Sequence, residues 1–249
     1  MTALTTYSPA VSAHPDRAAL GKHAGAHAAE TLRRALRNQH EVRLMLAAAP
    51  SQEATLLALA QEPGIDWSRL TCFHMDDYLA LPADAPQGFG NWLERTFFSR
   101  LPPTTFHRIN PGNPAEEEAG RYGTLMGQDP FDLVLLGLGV NGHLAFNDPP
   151  ADLADPLPAR VITLDQVSRQ QQVDEGHFPG FDDVPQRAIT VSIPRLLHAS
   201  EIIASVPGSA KKMAVQNTLN QPISGIHPGT ALRTHPNVTI YLDAESDPR

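Results

Sequence analysis

Two clusters of side chains in this sequence have the types and spacing needed for proton transfer. Phe73-His74-Met75-Asp76-Asp77-Tyr78 places two adjacent carboxylates where an apolar segment gives out. Adjacent acids repel, which raises one pKa toward the range useful for general acid–base work. A helix cap or a solvated turn accounts for one such Asp, but two flanked by Met75 and Tyr78 ask for more. The second cluster begins at Gly137-Leu138-Gly139-Val140-Asn141-Gly142-His143 and continues through Asn147 and Asp148 into Pro149-Pro150. Glycines let the backbone approach a ligand closely, and Asn141, His143, Asn147 and Asp148 are expected to project into the same crevice. A histidine flanked by Gly, Asn and Asp in such a loop is more often functional than a lone one on a helix face.

Other chemistries fit these residues less well. Gly137 to Gly142 also matches G-x-G-x-x-G, and Asp165 stands about where a ribose-binding acid would. That fingerprint needs a full helix whose N-terminus faces the pyrophosphate, whereas His143 to Asp148 runs straight into two prolines. A metal site from His74, Asp76, Asp77 and His143 has none of the usual ligand spacings, so neither a metal nor an organic cofactor is expected. Cys72, the only cysteine, lies in apolar Leu70-Thr71-Cys72-Phe73 and reads as a buried structural thiol. With no intrachain disulfide to form, the expected compartment is the cytoplasm.

The elements that must position these clusters alternate between strand and helix. A long helix is expected from Asp16 to Asn38, then a strand from Val42 to Ala49 and a helix through Leu56, Leu57 and Leu59. A strand from Leu70 to Met75 leads into the acidic pair. Ala80 to Gly90 reads as a loop, followed by a helix with Trp92, Leu93 and Phe97. Phe106 to Ile109 is a short strand and Pro114 to Met126 a helix whose first turn carries Glu116, Glu117 and Glu118. Phe131 to Leu136 is a continuous apolar run ending in glycines, the pattern of a central parallel strand. Strands near Val161 to Leu164, Ala188 to Ile193 and Ile202 to Val206 follow, then a helix from Ser209 to Leu219 and a last strand from Val238 to Leu242. The pattern predicts one α/β domain over residues 1–249, a three-layer αβα fold with an open, mainly parallel, Rossmann-like sheet. Such sheets place their sites at the carboxyl ends of the strands, where both clusters lie.

The bulk numbers limit the partners. A length of 249 residues, 41% of them hydrophobic, can bury a substantial core. The net charge of -8 offers no basic stripe for nucleic acid or an acidic membrane. No apolar run approaches the ~18 residues that a bilayer span requires. Met1 to Pro15 shows neither a basic nor an apolar leader segment. A small molecule is the expected partner.

The motifs together resemble glucosamine-6-phosphate deaminases. Phe73 to Tyr78 is similar to their F-x-M-D-E-Y segment, and Gly137 to Pro149 to G-x-G-x-[DN]-G-H-[IL]-[AG]-F-N-E-P. Asn110 to Asn113 resembles an N-G-N turn, Ala188-Ile189-Thr190-Val191 an A-L-T-V, and Leu232-Arg233-Thr234-His235-Pro236 an L-x-x-H-P. Order and spacing agree over nearly the whole chain. The related 6-phosphogluconolactonases share the scaffold and the G-H element but lack the M-D-E-Y and A-F-N-[ED]-P patterns.

The resemblance implies an enzyme that turns an amino sugar phosphate into a ketose phosphate and ammonia without a cofactor. His143 would open the sugar ring, oriented by Asn141 and Asp148, and Asp76 would move the C2 proton to C1. Ser51, Gln52, Asp77, Gly139, Arg169 and Lys211 would contact the substrate. Three departures stand out: Asp148 and Asp77 each replace a Glu, and the Gly- and Ser/Thr-rich phosphate turn reads Ala47-Ala48-Ala49-Pro50-Ser51-Gln52-Glu53. Pro50 has no N–H to donate, and Glu53 opposes an anion at the helix start. Gly208-Ser209-Ala210-Lys211 keeps a G-x-x-K element. The alternatives are a same-scaffold enzyme for another sugar or a lactone, and a non-catalytic sugar-phosphate sensor. Family members range from monomers to hexamers, which leaves room for a homo-oligomer.

Overall fold

The computed structural model describes residues 5–249, so the first four residues of the expected domain lie outside the described residues. In chain order the strands are β1 (Ala10–His14), β2 (Val42–Leu46), β3 (Leu70–His74), β4 (Asp76–Tyr78), β5 (Thr105–His107), β6 (Leu133–Leu136), β7 (Ala159–Thr163), β8 (Arg187–Val191), β9 (Ile202–Val206) and β10 (Val238–Asp243). The α-helices are α1 (Arg17–Asn38), α2 (Pro50–Ala60), α3 (Phe89–Thr96), α4 (Ala115–Met126), α5 (Gln166–Asp174), α6 (Ile193–Leu197) and α7 (Lys212–Asn220).

Seven strands form one sheet in the order β1-β10-β9-β6-β2-β3-β5, with every neighbouring pair parallel. The period-2 alternation of strand side chains divides the core between its two faces. Leu44, Leu46, Leu133, Leu135 and Ile203 pack with α1, α2 and α3. Met45, Val134, Leu136, Ile202 and Ala204 pack on the opposite face with α4, α6 and α7. This is the expected three-layer αβα architecture around a mainly parallel sheet.

Three local expectations need correction. The strands near 161 and 188 do not join the large sheet; β4, β8 and β7 form a separate antiparallel sheet. Met75 is where the chain changes sheets: its N–H donates to Leu46 O at 3.1 Å, while its C=O accepts from Val191 N at 2.8 Å. The segment expected to precede the first helix contains β1, which adds to the sheet edge beside β10. Residues after Asp165 form helix α5, with Asp165 as its N-cap accepting from Val167 N. Asp165 therefore stands where it does to cap a helix, and no helix follows Gly137–Gly142 before α5.

The chain moves from β2 outward to β3 and β5 on one side, and from β6 to β9 and β10 on the other. The order therefore reverses between β2 and β6, the crevice where open α/β sheets bind ligands. The carboxyl ends of those two strands lead directly into Ala47–Gln52 and Gly137–His143.

Helices α1 and α2 meet through small residues, close enough that a Cβ on Gly21 would lie 2.4 Å from Ala54 Cβ and one on Gly25 2.7 Å from Ala58 Cβ. In a free helix Gly→Ala gains about 1 kcal/mol. Here the clash reverses the sign, and Gly21→Ala is expected to destabilise the protein by about 1–3 kcal/mol. Chemical denaturation of the variant checks this, and an increase in stability would contradict the packing described.

Candidate active site

Asp76 begins where β3 has left the large sheet, and it is 6% exposed at the floor of the cleft. Its neighbour Asp77 accepts from Tyr78 N and Phe89 N at 2.9 Å and from Gly90 N at 3.0 Å. Phe89 and Gly90 open α3, so Asp77 serves that helix as a remote cap. The division of donors is uneven. Asp77 takes three backbone N–H groups, and among the described residues none donates to the Asp76 carboxylate. Burial, with the adjacent Asp77 charge, holds the Asp76 pKa well above the ordinary carboxylate range. Burial also raises Asp77, to about 6, against the opposing pull of its N–H partners and Arg108. The apolar surroundings have a clear source: Tyr78, Phe89 and Phe146 cluster with ring centroids 4.8–5.6 Å apart.

His143 lines the same cleft from the loop after β6. Its Nδ1 lies 3.0 Å from Asp148 Oδ1 and 2.9 Å from Ser168 Oγ. Asn141 bridges both ends of the turn: its amide donates to Asp148 Oδ1 at 3.0 Å, and its oxygen accepts from His143 N at 3.1 Å. Burial alone would raise Asp148, but the hydrogen bonds from His143, Ser168 and Asn141 hold it below its usual pKa. A carboxylate there fixes Nδ1 as the protonated nitrogen and leaves Nε2 to exchange protons with a ligand. Gly139 is required for this arrangement, since a Cβ would fall 2.2 Å from His143 Cε1. Ala145 adopts a left-handed backbone, φ 51°, between the cleft residues His143 and Phe146.

The two strands are joined through Thr190. It stands opposite Asp76 in the β4–β8 ladder, and its Oγ1 accepts from Phe146 N at 3.0 Å. The base-like carboxylate and the histidine loop are thereby held to one piece of β8.

Of the residues expected from sequence, Ser51, Gln52, Asp76, Gly139, His143 and Lys211 line the cleft, which spans about 500 Å³ including its open mouth. Asn141 and Asp148 stand behind His143 and contact it directly. Asp77 and Arg169 do not line the cleft. Asp77 is turned to the start of α3, and Arg169 stacks over Phe181 while donating to Phe181 O and Val184 O. Asn147 also turns inward, its amide donating to Leu144 O and Val191 O. Sequence reasoning missed Ser168, Gln171 and Glu175, all carried by α5 or its C-cap, and chose Arg169 over Gln172, which does line the cleft. The signal was present in Asp165, an N-cap residue followed by a helix-compatible run. Among the described residues no three His, Cys, Asp or Glu side chains converge to hold a metal.

The chain matches the family model described as Glucosamine-6-phosphate isomerases/6-phosphogluconolactonase over residues 15–240. A glucosamine-6-phosphate deaminase of Shouchella clausii (strain KSM-K16) is 30% identical over 226 residues, 88% of this chain and 90% of that protein. One from Streptococcus pneumoniae (strain 70585) is 32% identical over 186 residues, 74% of this chain and 77% of that protein. A solved monomeric glucosamine-6-phosphate deaminase superposes with a TM-score of 0.86 at 28% identity, covering 95% of this chain and 98% of that one. A 6-phosphogluconolactonase from Shewanella baltica OS155 gives 0.80 at 18% identity, with 95% and 98% covered, a likeness of fold alone.

The donor-poor carboxylate has a measurable thermodynamic consequence. A group whose pKa is raised on folding binds protons more tightly in the native state, so stability falls as pH rises through that interval. For Asp76 the loss begins near the unfolded carboxylate pKa of about 4. The Tm of Asp76→Asn relative to the unsubstituted chain should therefore climb with pH, the difference being largest at pH 8 and smallest at pH 4. A difference independent of pH, measured by thermal unfolding across that range, would contradict the assignment.

Proposed function

The chain belongs to the glucosamine-6-phosphate isomerase/6-phosphogluconolactonase family, and within it we propose that it is an aldose–ketose isomerase/deaminase. Its substrate is a 2-amino sugar phosphate, glucosamine 6-phosphate in the first instance, and its products are fructose 6-phosphate and ammonia. The observation that carries this reading is the pairing, in one cleft, of a carboxylate without donors and a histidine with a fixed tautomer.

The two groups divide the work. His143 Nε2 takes the proton from the anomeric hydroxyl and returns one to the ring oxygen, so the ring opens to the aldehyde. Asp148 and Ser168 keep the imidazole oriented and balance its transient positive charge. Asp76, as carboxylate, removes the C2 proton to give the enolamine and delivers a proton to C1. The C2 imine that results adds water, and the carbinolamine loses ammonia to leave the ketone. The substrate's C2 ammonium lies next to Asp76 at the start of this sequence. That charge favours ionisation of a carboxyl whose pKa burial and the neighbouring Asp77 raise.

A lactone substrate fits the site less well. Lactone hydrolysis needs a water activated by His143 and has no step for a buried carboxylate on the carbon skeleton. A sensor would need neither group. Incubation with glucosamine 6-phosphate should release ammonia and fructose 6-phosphate in equal amounts, and Asp76→Asn should lower kcat by about 10²–10⁴-fold. A folded protein that turns over 6-phosphogluconolactone and leaves the amino sugar untouched would refute the reading.

A further inference from the structure

Lys211 is the one Lys or Arg lining the cleft among the described residues. It is not free. Its Nζ lies 3.2 Å from Glu175 Oε1, with the two side chains 7% and 21% exposed. Gln171 Nε2 donates to the same oxygen at 2.7 Å, and Gln171 Oε1 accepts from Val140 N at 3.0 Å. Gln171 thus ties Glu175 to the histidine loop and holds its carboxylate on the lysine. Two other side chains expected to bind an anion are occupied as well. Gln52 Nε2 donates to Ser205 O at 3.0 Å, and Arg169 is turned to Phe181 and Val184.

The charge balance follows. Within the cleft the lysine is neutralised by Glu175, so a phosphate carrying about two negative charges meets no uncompensated side-chain cation. What remains for it is the start of α2, where Pro50 removes one N–H and Gln52 N is turned to Ala49 O.

We propose that Glu175 is the resident counter-anion of Lys211 and a specificity-determining residue, which the substrate's phosphate must displace to reach the lysine. The proposal rests on the phosphorylated substrate of the preceding section. Both partners offer anionic oxygens to the same N⁺–H donors, so the exchange needs no change of protonation on the lysine. Glu175 stands where the helix ends: it is the C-cap of α5, and Gly176, at φ 79°, follows it. Its charge stays close to the bound phosphate, which weakens phosphorylated ligands more than unphosphorylated ones.

Calorimetric titration with inorganic phosphate tests this on the full chain, using Glu175→Gln and Lys211→Met beside the unsubstituted protein. Glu175→Gln should bind phosphate on the order of tenfold more tightly, and Lys211→Met more weakly than either. In turnover, Glu175→Gln should lower KM for glucosamine 6-phosphate more than KM for glucosamine. A merely structural Glu175 would give the opposite sign, since loss of its contacts would loosen Lys211 and weaken phosphate. Unchanged or weaker phosphate binding by folded Glu175→Gln overturns the proposal. Because phosphate binding is read without turnover, failure of the deaminase reading would appear only in the ammonia assay.

Discussion

The site depends on how backbone donors are shared between two adjacent carboxylates. Asp77 receives three N–H groups, two of them from the opening turn of α3, while Asp76 receives none from the described residues. An unpaired buried carboxylate is unfavourable when charged, and its pKa is raised accordingly. The strand change at Met75 creates this asymmetry. Its N–H belongs to the large sheet and its C=O to the small one, so the next two residues are presented at the join between them. Aromatic rings close the join to water on one side, and the cleft opens on the other.

The histidine half is built in the opposite way, with every local group engaged. Asn141, Asp148 and Ser168 surround Nδ1 or the turn that carries it, and Gly139 supplies the space that the ring occupies. One carboxylate is left without donors and the other is surrounded by them, so their pKa values move in opposite directions. In the proposed reaction Asp76 is the base, and Asp148 is the carboxylate that orients the shuttle His143. Thr190 links the halves, so a shift of β8 would disturb both together.

Much of this was legible in the residues themselves. The continuous apolar run before Gly137 identified β6, and Asp76, His143 and Asp148 could be selected from type and context. The antiparallel sheet was not legible, because Val161–Leu164 and Ala188–Ile193 read alike whether their neighbours run parallel or not. Helix α5 was missed because it is largely polar: Gln166 to Asp174 has no apolar stripe long enough to register, although Asp165 marks its start. Ser168, Gln171 and Glu175 went with it. Asp77 and Arg169 were misplaced for a related reason, since sequence neighbours of a catalytic residue or a motif need not face the same way. Asp77 alternates away from Asp76 as strand residues do.

The account therefore centres on the protonation state of Asp76 in the unliganded protein. The most direct measurement is a carbon-13 NMR titration of its carboxyl, assigned by difference against Asp76→Asn. The account predicts that Asp76 remains protonated well above the pH at which an ordinary aspartate ionises, while Asp148 is already a carboxylate. An Asp76 that titrates at or below the ordinary aspartate range would show that donors do reach it, and would contradict the division of roles on which the site is built.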